Sequence, residues 1–157
     1  MRFKMVIAVL PLLLCFGIWA FAAEMQGNQA KKDLEKFQGA WILVTGDMDG
    51  KKIADQDVEK SKLIYEGDKI TVITPHQHGE PIVAEIVKID TAKSPKQMHF
   101  VRKNGPGAGN TFVGIYDFDG DNMYSFVLDP TGATEPKELS AKEKSGHIKH
   151  TWKRVQQ

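Results

Sequence analysis

The sequence has a single cysteine, Cys15, and that residue lies in an apolar N-terminal run. If the run is removed on export, the remaining chain has no thiol, which excludes disulfide bonds and cysteine redox chemistry. Neither sign of charge dominates, because 21 Lys and Arg residues are balanced by 20 Asp and Glu residues. This balance argues against a nucleic-acid-binding protein, which normally carries a basic face.

The N-terminus, residues 1–22, is predicted to be a signal peptide. Arg2 and Lys4 precede an apolar run from Met5 to Phe21, and small residues follow near its end. Charged, apolar and small-residue segments in this order are typical of secretory signals. The run is at the short end of the roughly 17–25 residues that span a bilayer, so a retained anchor is the alternative. We expect an exported protein, periplasmic or secreted, that contacts a membrane only if the run is kept.

The rest of the chain is predicted to form one domain, residues 34–157, after a disordered polar segment, residues 23–33. Leu34 and Phe37 are three residues apart, which suits a short helical turn that Gly39 ends. The domain is long enough to fold around a hydrophobic core without disulfide bonds.

Eight strands are predicted after Gly39, the first in "AWILVTG" and the last in "HIKHTWKRV". Turn signals separate most of them, and there is no sustained helical periodicity, a pattern typical of an antiparallel barrel or sandwich. We predict an all-β fold, an antiparallel eight-stranded barrel, since closure removes exposed strand edges. A barrel of this size is either filled by side chains or holds one small ligand.

The two ends of the predicted domain resemble those of lipocalin-like barrels. Gly39-Ala40-Trp41 opens the first strand after a helical turn, and Arg154 lies near the end of the last strand. In lipocalin-like barrels the Trp of such a Gly-x-Trp step plugs the closed end, and the Arg packs across it. The resemblance implies a barrel floor of Gly39, Trp41 and Arg154, with a cation–π contact of roughly 0.5–2 kcal/mol.

A closer resemblance covers nearly the whole exported chain. "FQGAW", "DGKKI", "YEGDK", "GIYDFDGD" and "EPKELSAKEKSGH" resemble a planctomycete-type family of small exported lipocalin-like domains of unknown function. The resemblance implies the fold and the export, and it implies no catalytic residues. His150 and Trp152 stand in the last strand, where that family tends to be aliphatic.

Alternating aromatic residues supply the candidate ligand site. One row of the "TFVGIYDF" strand is aromatic except at a glycine, which leaves a gap, and the following strand has a second aromatic row of ambiguous direction. Ordinary core packing explains both rows; the functional interpretation is an aromatic pocket wall with its gap at the glycine. The candidate ligand-binding residues are Phe112, Gly114, Tyr116, Phe118, Tyr124 and Phe126.

His76 and His78 are weak metal candidates. Two histidines one residue apart project to the same side of an extended backbone, as Zn²⁺ or Cu²⁺ ligands do. A third ligand would have to come from His99, Glu80 or Asp90 elsewhere in the chain. We interpret the pair as part of a solvated loop and predict neither a metal nor a cofactor.

Three classes of function remain. The first is an exported protein that binds a small apolar ligand inside the barrel. The second is an envelope or interaction protein with a filled barrel, for example an inhibitor of an exported enzyme. The third is an enzyme, for which the sequence offers no recognisable catalytic motif. A hollow barrel would favour the first class and a filled barrel the second.

Overall fold

The structure, a computed structural model, describes residues 15–75 and 79–156, with side chains described from Met25 onward. Each of the eight predicted strands agrees with an observed strand to within two residues at either end. The elements are α1 (Cys15–Phe37), β1 (Gly39–Met48), β2 (Lys51–Lys52), α2 (Asp55–Lys60), β3 (Lys62–Glu66), β4 (Lys69–Ile73), β5 (Ile82–Asp90), β6 (Lys96–Arg102), β7 (Thr111–Asp119), β8 (Met123–Leu128) and β9 (Ile148–Arg154).

Eight of these strands close into an antiparallel barrel, which confirms the predicted fold. The order is β1-β3-β4-β5-β6-β7-β8-β9, and β9 returns to pair with β1. Trp41 of β1 lies opposite Arg154 of β9, and a bulge follows Leu43. The short β2, which the sequence pattern did not predict as a strand, adds only a two-residue hairpin to the end of β1.

Alternation of side chains along the strands separates the core from the surface. On β3, Leu63 and Tyr65 are buried, whereas Lys62 and Glu66 are exposed. On β8, the row that contains Tyr124 faces the interior. The direction that the sequence left ambiguous for this strand is therefore inward for the aromatic row.

The outer face of β7 and β8 is also partly buried. Ile115 and Val127 lie opposite each other on these strands and are almost fully buried, although they point away from the barrel core. The long connection between β8 and β9 contributes the buried Pro136. Its Leu139 shares a surface depression with Asp117 of β7, so the connection lies over this face.

The two ends of the barrel differ in what covers them. We call the end where β1 begins and β9 ends the closed end, because the C-terminal turns of α1 pack there; the opposite end is the far end. Residues 23–33 were predicted to be disordered, and this is wrong, since they lie within α1. Asp33 is buried, and Gln26 Nε2 donates a hydrogen bond to Asp90 Oδ1 at 3.1 Å. These polar side chains find partners on the barrel, which local composition does not reveal.

The N-terminal predictions fall partly outside the described residues. Residues 1–14 of the predicted signal peptide are among those that the structure does not describe. The predicted cleavage site lies inside α1, and cleavage stays a prediction. Among the described residues, no helix combines the length and the apolar character needed to cross a membrane.

Candidate ligand cavity in the barrel

Aromatic side chains fill the closed end around Phe37, the last residue of α1. The Phe37 ring is fully buried, and its centroid lies 4.7 Å from that of Phe118 and 5.0 Å from that of Tyr116. The rings of Tyr65 and Tyr124 are each 5.1 Å away. The Phe37 ring of α1 therefore plugs this end of the barrel, and aromatic side chains from the strands surround it.

Trp41 lies beside this plug and is also fully buried. Its indole Nε1 donates a hydrogen bond to the Phe37 carbonyl oxygen at 2.7 Å, which gives the buried N–H a partner. The guanidinium carbon of Arg154 lies 4.3 Å from the centroid of the Trp41 ring. The same guanidinium donates to the carbonyl oxygens of Lys36 and Gln38, which ties β9 to the end of α1.

Gly39 joins this group through its backbone. Its φ of +102° lies in a region that favours glycine, and a Cβ atom there would be 3.5 Å from Arg154 Nη1. The structure thus brings together Gly39, Trp41 and Arg154, the three residues assigned to the barrel floor.

A buried carboxylate fixes α1 to the barrel wall. Asp33 Oδ2 accepts hydrogen bonds from the Tyr116 hydroxyl at 2.7 Å and from Lys96 Nζ at 2.9 Å. Its Oδ1 accepts a third from Gln29 Nε2 at 2.8 Å. Burial, and then the adjacent carboxylate, raise the pKa of Tyr116 far above its ordinary value, so its proton stays available for this bond.

The other half of the barrel encloses a cavity of about 260 Å³. One wall is aliphatic and comes from β3, β4 and β5, and the facing wall is largely aromatic. The aliphatic residues are Leu63, Ile70, Val72, Ile82 and Ala84, and the facing apolar residues include Phe100, Phe126, Leu128, Ile148 and Trp152. The cavity reaches the far end, where Ser61, Thr74 and Pro130 flank the strands.

Two tyrosine hydroxyls at the base of the cavity share one hydrogen bond. The Oη atoms of Tyr65 and Tyr124 are 3.0 Å apart and buried. Burial is the largest influence on both groups and raises the pKa of each, so both stay protonated at neutral pH. The hydroxyl of Ser61 is similarly engaged, since it donates to the Asp57 carbonyl oxygen at 2.6 Å.

His150 contributes a neutral imidazole to the cavity wall. Burial lowers the pKa of His150 to about 4, because the charged form loses its hydration. The ring stands edge-on to Trp152, with centroids 5.5 Å apart. Gly46 lies opposite it on β1, and a Cβ atom there would lie 2.6 Å from Ile53 Cδ1 and 3.1 Å from His150 Cδ2. The glycine therefore leaves room for Ile53 and for the imidazole.

Arg102 is the one cationic side chain among the described residues of the cavity lining. Its guanidinium carbon lies 4.4 Å from the centroid of the Phe112 ring, and Nη1 donates to the Pro106 carbonyl oxygen. Its Nε is buried and has no hydrogen-bond partner among the described residues. Desolvation lowers the pKa of Arg102, although a guanidinium remains charged at neutral pH.

The structure divides the six residues proposed as a ligand site. Tyr124 and Phe126 line the cavity, and the four residues from β7 do not. The expected gap at Gly114 is occupied, because a Cβ atom there would lie only 2.1 Å from Phe126 Cζ. The Phe126 ring itself therefore fills the space that the sequence suggested for a ligand.

The other β7 residues have packing roles. Phe112 stacks on Phe100 with centroids 5.6 Å apart. Tyr116 bonds to Asp33, and Phe118 belongs to the aromatic group around Phe37. These inward positions agree with the predicted alternation along β7. The side chains do not line the cavity, although the ligand-site prediction required it.

Sequence reasoning missed most of the cavity wall, although a signal was present. Leu63 and Ile70 occupy the inward rows of short alternating strands. Arg102 and His150 are polar residues in rows that are otherwise apolar: Arg102 follows Phe100 by two positions, and His150 precedes Trp152 by two. A polar side chain in an inward row is the feature that points to a lined cavity.

Among the described residues, no group of three or more His, Cys, Asp or Glu side chains is placed to hold a metal ion, and His76 and His78 lie outside those residues. No protein-family model, no curated protein and no solved structure matches the chain.

Proposed function

We propose that this protein binds a small, largely apolar molecule inside the barrel. The observation that carries the proposal is the cavity of about 260 Å³ between the aromatic plug and the far end. Well-packed interiors have few voids larger than a water molecule, so a space of this size is unusual for a domain core. A hollow barrel is the feature that separates a ligand-binding module from a filled one.

The volume of the cavity indicates the size of the ligand. Binding sites for drug-sized molecules are typically about 300–1,000 Å³, and this cavity is slightly smaller. An engineered cavity of about 150 Å³ in another protein holds benzene. At the same volume per atom, a cavity of about 260 Å³ suits roughly ten non-hydrogen atoms.

The chemistry of the wall supports an apolar ligand body. Most lining side chains are aliphatic or aromatic, so a bound apolar group gains about 25 cal/mol for each square ångström removed from water. The hydroxyls of Tyr65 and Tyr124 share one hydrogen bond and are uncharged, so they add no net charge at the base of the cavity. His150 is neutral at pH 7 and adds no charge.

We also propose that the chain is exported, to the periplasm or beyond, and that it acts there as a carrier or sensor. The order of charged, apolar and small residues at the N-terminus supports this. N-terminal sequencing of protein recovered from the cell envelope tests it; a mature start near residue 23 supports export, and an intact Met1 contradicts cleavage.

Native mass spectrometry combined with a cavity-filling variant tests the binding function. Ala84 is buried and lines the cavity, so Ala84→Ile adds bulk where the ligand would lie. Ala40 is exposed on β1, and Ala40→Ile is the matched control. We expect gently purified wild-type and Ala40→Ile protein to carry an added mass that is lost on denaturation.

The Ala84→Ile protein should fold with a similar melting temperature and carry no added mass. Bare mass in all three proteins, together with no uptake of small apolar compounds, would contradict the proposal. The filled-barrel interaction protein would then be the better hypothesis, and the search would turn to protein partners.

A further inference from the structure

We propose that the ligand carries one anionic group, a carboxylate or a group of similar charge, which pairs with Arg102 while its apolar body occupies the cavity. This inference rests on the proposed ligand-binding function and specifies the chemical class of the ligand. The observations that lead to it are the position of Arg102, its lack of an acidic partner and the state of the other polar groups in the cavity lining.

Arg102 is positioned to present its charge to the cavity. It is the last residue of β6 and lies in the same inward row as Phe100, so its side chain starts from the inner wall at the far end. Packing over the Phe112 ring and the hydrogen bond to the Pro106 carbonyl oxygen hold the guanidinium in place. A charged group that is fixed in advance loses little entropy when it binds.

The charge of Arg102 has no counter-ion among the described residues. No acidic side chain there forms an ion pair with it, whereas the adjacent Lys103 pairs with Glu85 on the outside of the barrel. The Arg102 Nε is buried without a hydrogen-bond partner, and desolvation lowers the pKa of the side chain. An anion beside it would offset this unfavourable environment, since opposite charges stabilise each other most where water is scarce.

The other polar groups of the lining have less to offer a ligand. One of the two O–H donors of Tyr65 and Tyr124 is used on the other tyrosine, both groups are uncharged, and Ser61 donates to a backbone carbonyl. His150 is neutral, so it contributes no attraction for a charge. Arg102 therefore combines a net charge with N–H groups that can donate to a carboxylate in a planar, two-bond geometry.

The test compares anionic and neutral probes of the same shape. Octanoate and octanol form a chain pair of about the size that the cavity suits, and naphthoate and naphthalenemethanol form a ring pair. Their dissociation constants are measured by calorimetry for wild-type protein, Arg102→Met and Lys103→Gln. Met keeps a long side chain over Phe112 without the charge, and Lys103→Gln removes one positive charge from the outer surface at the same end of β6.

We expect wild-type protein to bind the anion of at least one pair about tenfold to a hundredfold more tightly than the neutral partner, as for a hydrogen bond to a charged group. Arg102→Met should abolish this ratio while it keeps affinity for the neutral probe, and Lys103→Gln should preserve the ratio. Equal affinities in wild-type protein, or a ratio that survives in Arg102→Met, would overturn the anion inference and leave the binding function intact. Failure of all four probes to bind wild-type protein would overturn both.

If Arg102→Met does not fold, the wild-type protein alone still tests the proposal. A ratio near one between its affinities for the anionic and neutral probes would contradict the proposal. Arg102→Lys then serves as the second variant. It keeps the charge but not the planar guanidinium, so the ratio should fall severalfold without disappearing. An unchanged ratio in Arg102→Lys would show that the planar pairing with Arg102 is absent.

Discussion

The two halves of the barrel are built from the same strands, but one interior is filled by side chains and the other contains a cavity. At the closed end, the rings of Phe37 and Trp41 and four tyrosine or phenylalanine rings fill the lumen. In the other half, aliphatic side chains from β3, β4 and β5 face aromatic ones across the cavity of about 260 Å³. The sheet itself is continuous through both halves.

This difference indicates that α1, more than the strands, determines which half of the barrel lumen is filled by side chains. Phe37 comes from α1, and the C-terminal turns of α1 pack against the closed end through Asp33 and the Arg154 contacts. An eight-stranded barrel has an interior just wide enough for side chains to fill. One additional aromatic ring at one end is therefore enough to plug it, and its absence at the other leaves room for a ligand.

Truncation of one tryptophan in each half is the most direct test of the difference in packing between the two halves. Trp41→Ala should lower the free energy of unfolding by about 3–5 kcal/mol, as for other buried aromatic truncations. It leaves a new void and removes the ring beneath Arg154. Trp152→Ala should cost less, because Trp152 already lines a cavity and its loss enlarges an existing space. Urea unfolding of both variants measures the difference.

Unchanged stability in Trp41→Ala would contradict the barrel-floor assignment. A larger loss for Trp152→Ala than for Trp41→Ala would show that the two halves do not differ in packing as the structure indicates.

The second prediction tests the attachment of α1. Asp33→Ala removes the acceptor of the hydrogen bonds from Tyr116, Lys96 and Gln29. We expect a loss of about 2–3 kcal/mol in the free energy of unfolding, since the Tyr116 hydroxyl is left buried without its partner. Tyr116→Phe, which removes one of the three donors, should cost less, about 1 kcal/mol.

Hydrogen exchange shows whether the helix loosens as a unit. In Asp33→Ala the amides near the end of α1 should exchange faster, while those of the barrel strands change little. Equal acceleration in strands far from α1 would indicate a general loss of stability instead of a released helix.

The third prediction concerns the boundary between the solid and the hollow half, at Gly114. A Cβ atom at this position would lie 2.1 Å from Phe126 Cζ. Gly114→Ala should therefore cost about 1–3 kcal/mol, the usual range for an overpacked core. The alternative for the ring is to rotate into the cavity, which would weaken ligand binding. Phe126→Leu in the same chain should recover most of the stability, and no recovery would show that the strain lies elsewhere.

Local patterns were sufficient to predict the barrel. Strands β3 to β9 follow from period-2 alternation and from turn residues such as Gly67 and Gly120, both of which have positive φ values. The extent of α1 could not be predicted in this way. Asp33 and Gln26 are polar, and they are ordered by Tyr116, Lys96 and Asp90, which lie more than sixty residues away in sequence.

The candidate site was harder to predict than the fold, because whether a part of the lumen is filled depends on side chains from elements that are distant in sequence. Alternation placed Phe112 and Gly114 inside the barrel, but it could not show that the Phe126 ring fills the gap at the glycine. It also gave no reason to prefer β3 and β4 over β7 as the cavity wall. That choice follows from Phe37, which approaches the β7 side chains Tyr116 and Phe118 from another element.

The smallest predicted effect is a pH dependence that arises from His150 in the hollow half. Its folded-state pKa of about 4 lies below the ordinary value of 6.5. Between these values the unfolded chain binds a proton that the folded chain does not, so stability is complete above about pH 6.5 and falls as the pH drops toward 4. His150→Phe removes this contribution. The two pKa values alone give about 2.4 kcal/mol between pH 7 and pH 4.5, and because the imidazole is partly exposed we expect the wild-type protein to lose about 1–2 kcal/mol relative to the variant. Urea unfolding at the two pH values measures this change, and acid effects common to both proteins cancel in the comparison. A difference that stays constant with pH would mean that the imidazole is hydrated through the cavity, and the wall around His150 would then be wetter than its apolar neighbours indicate.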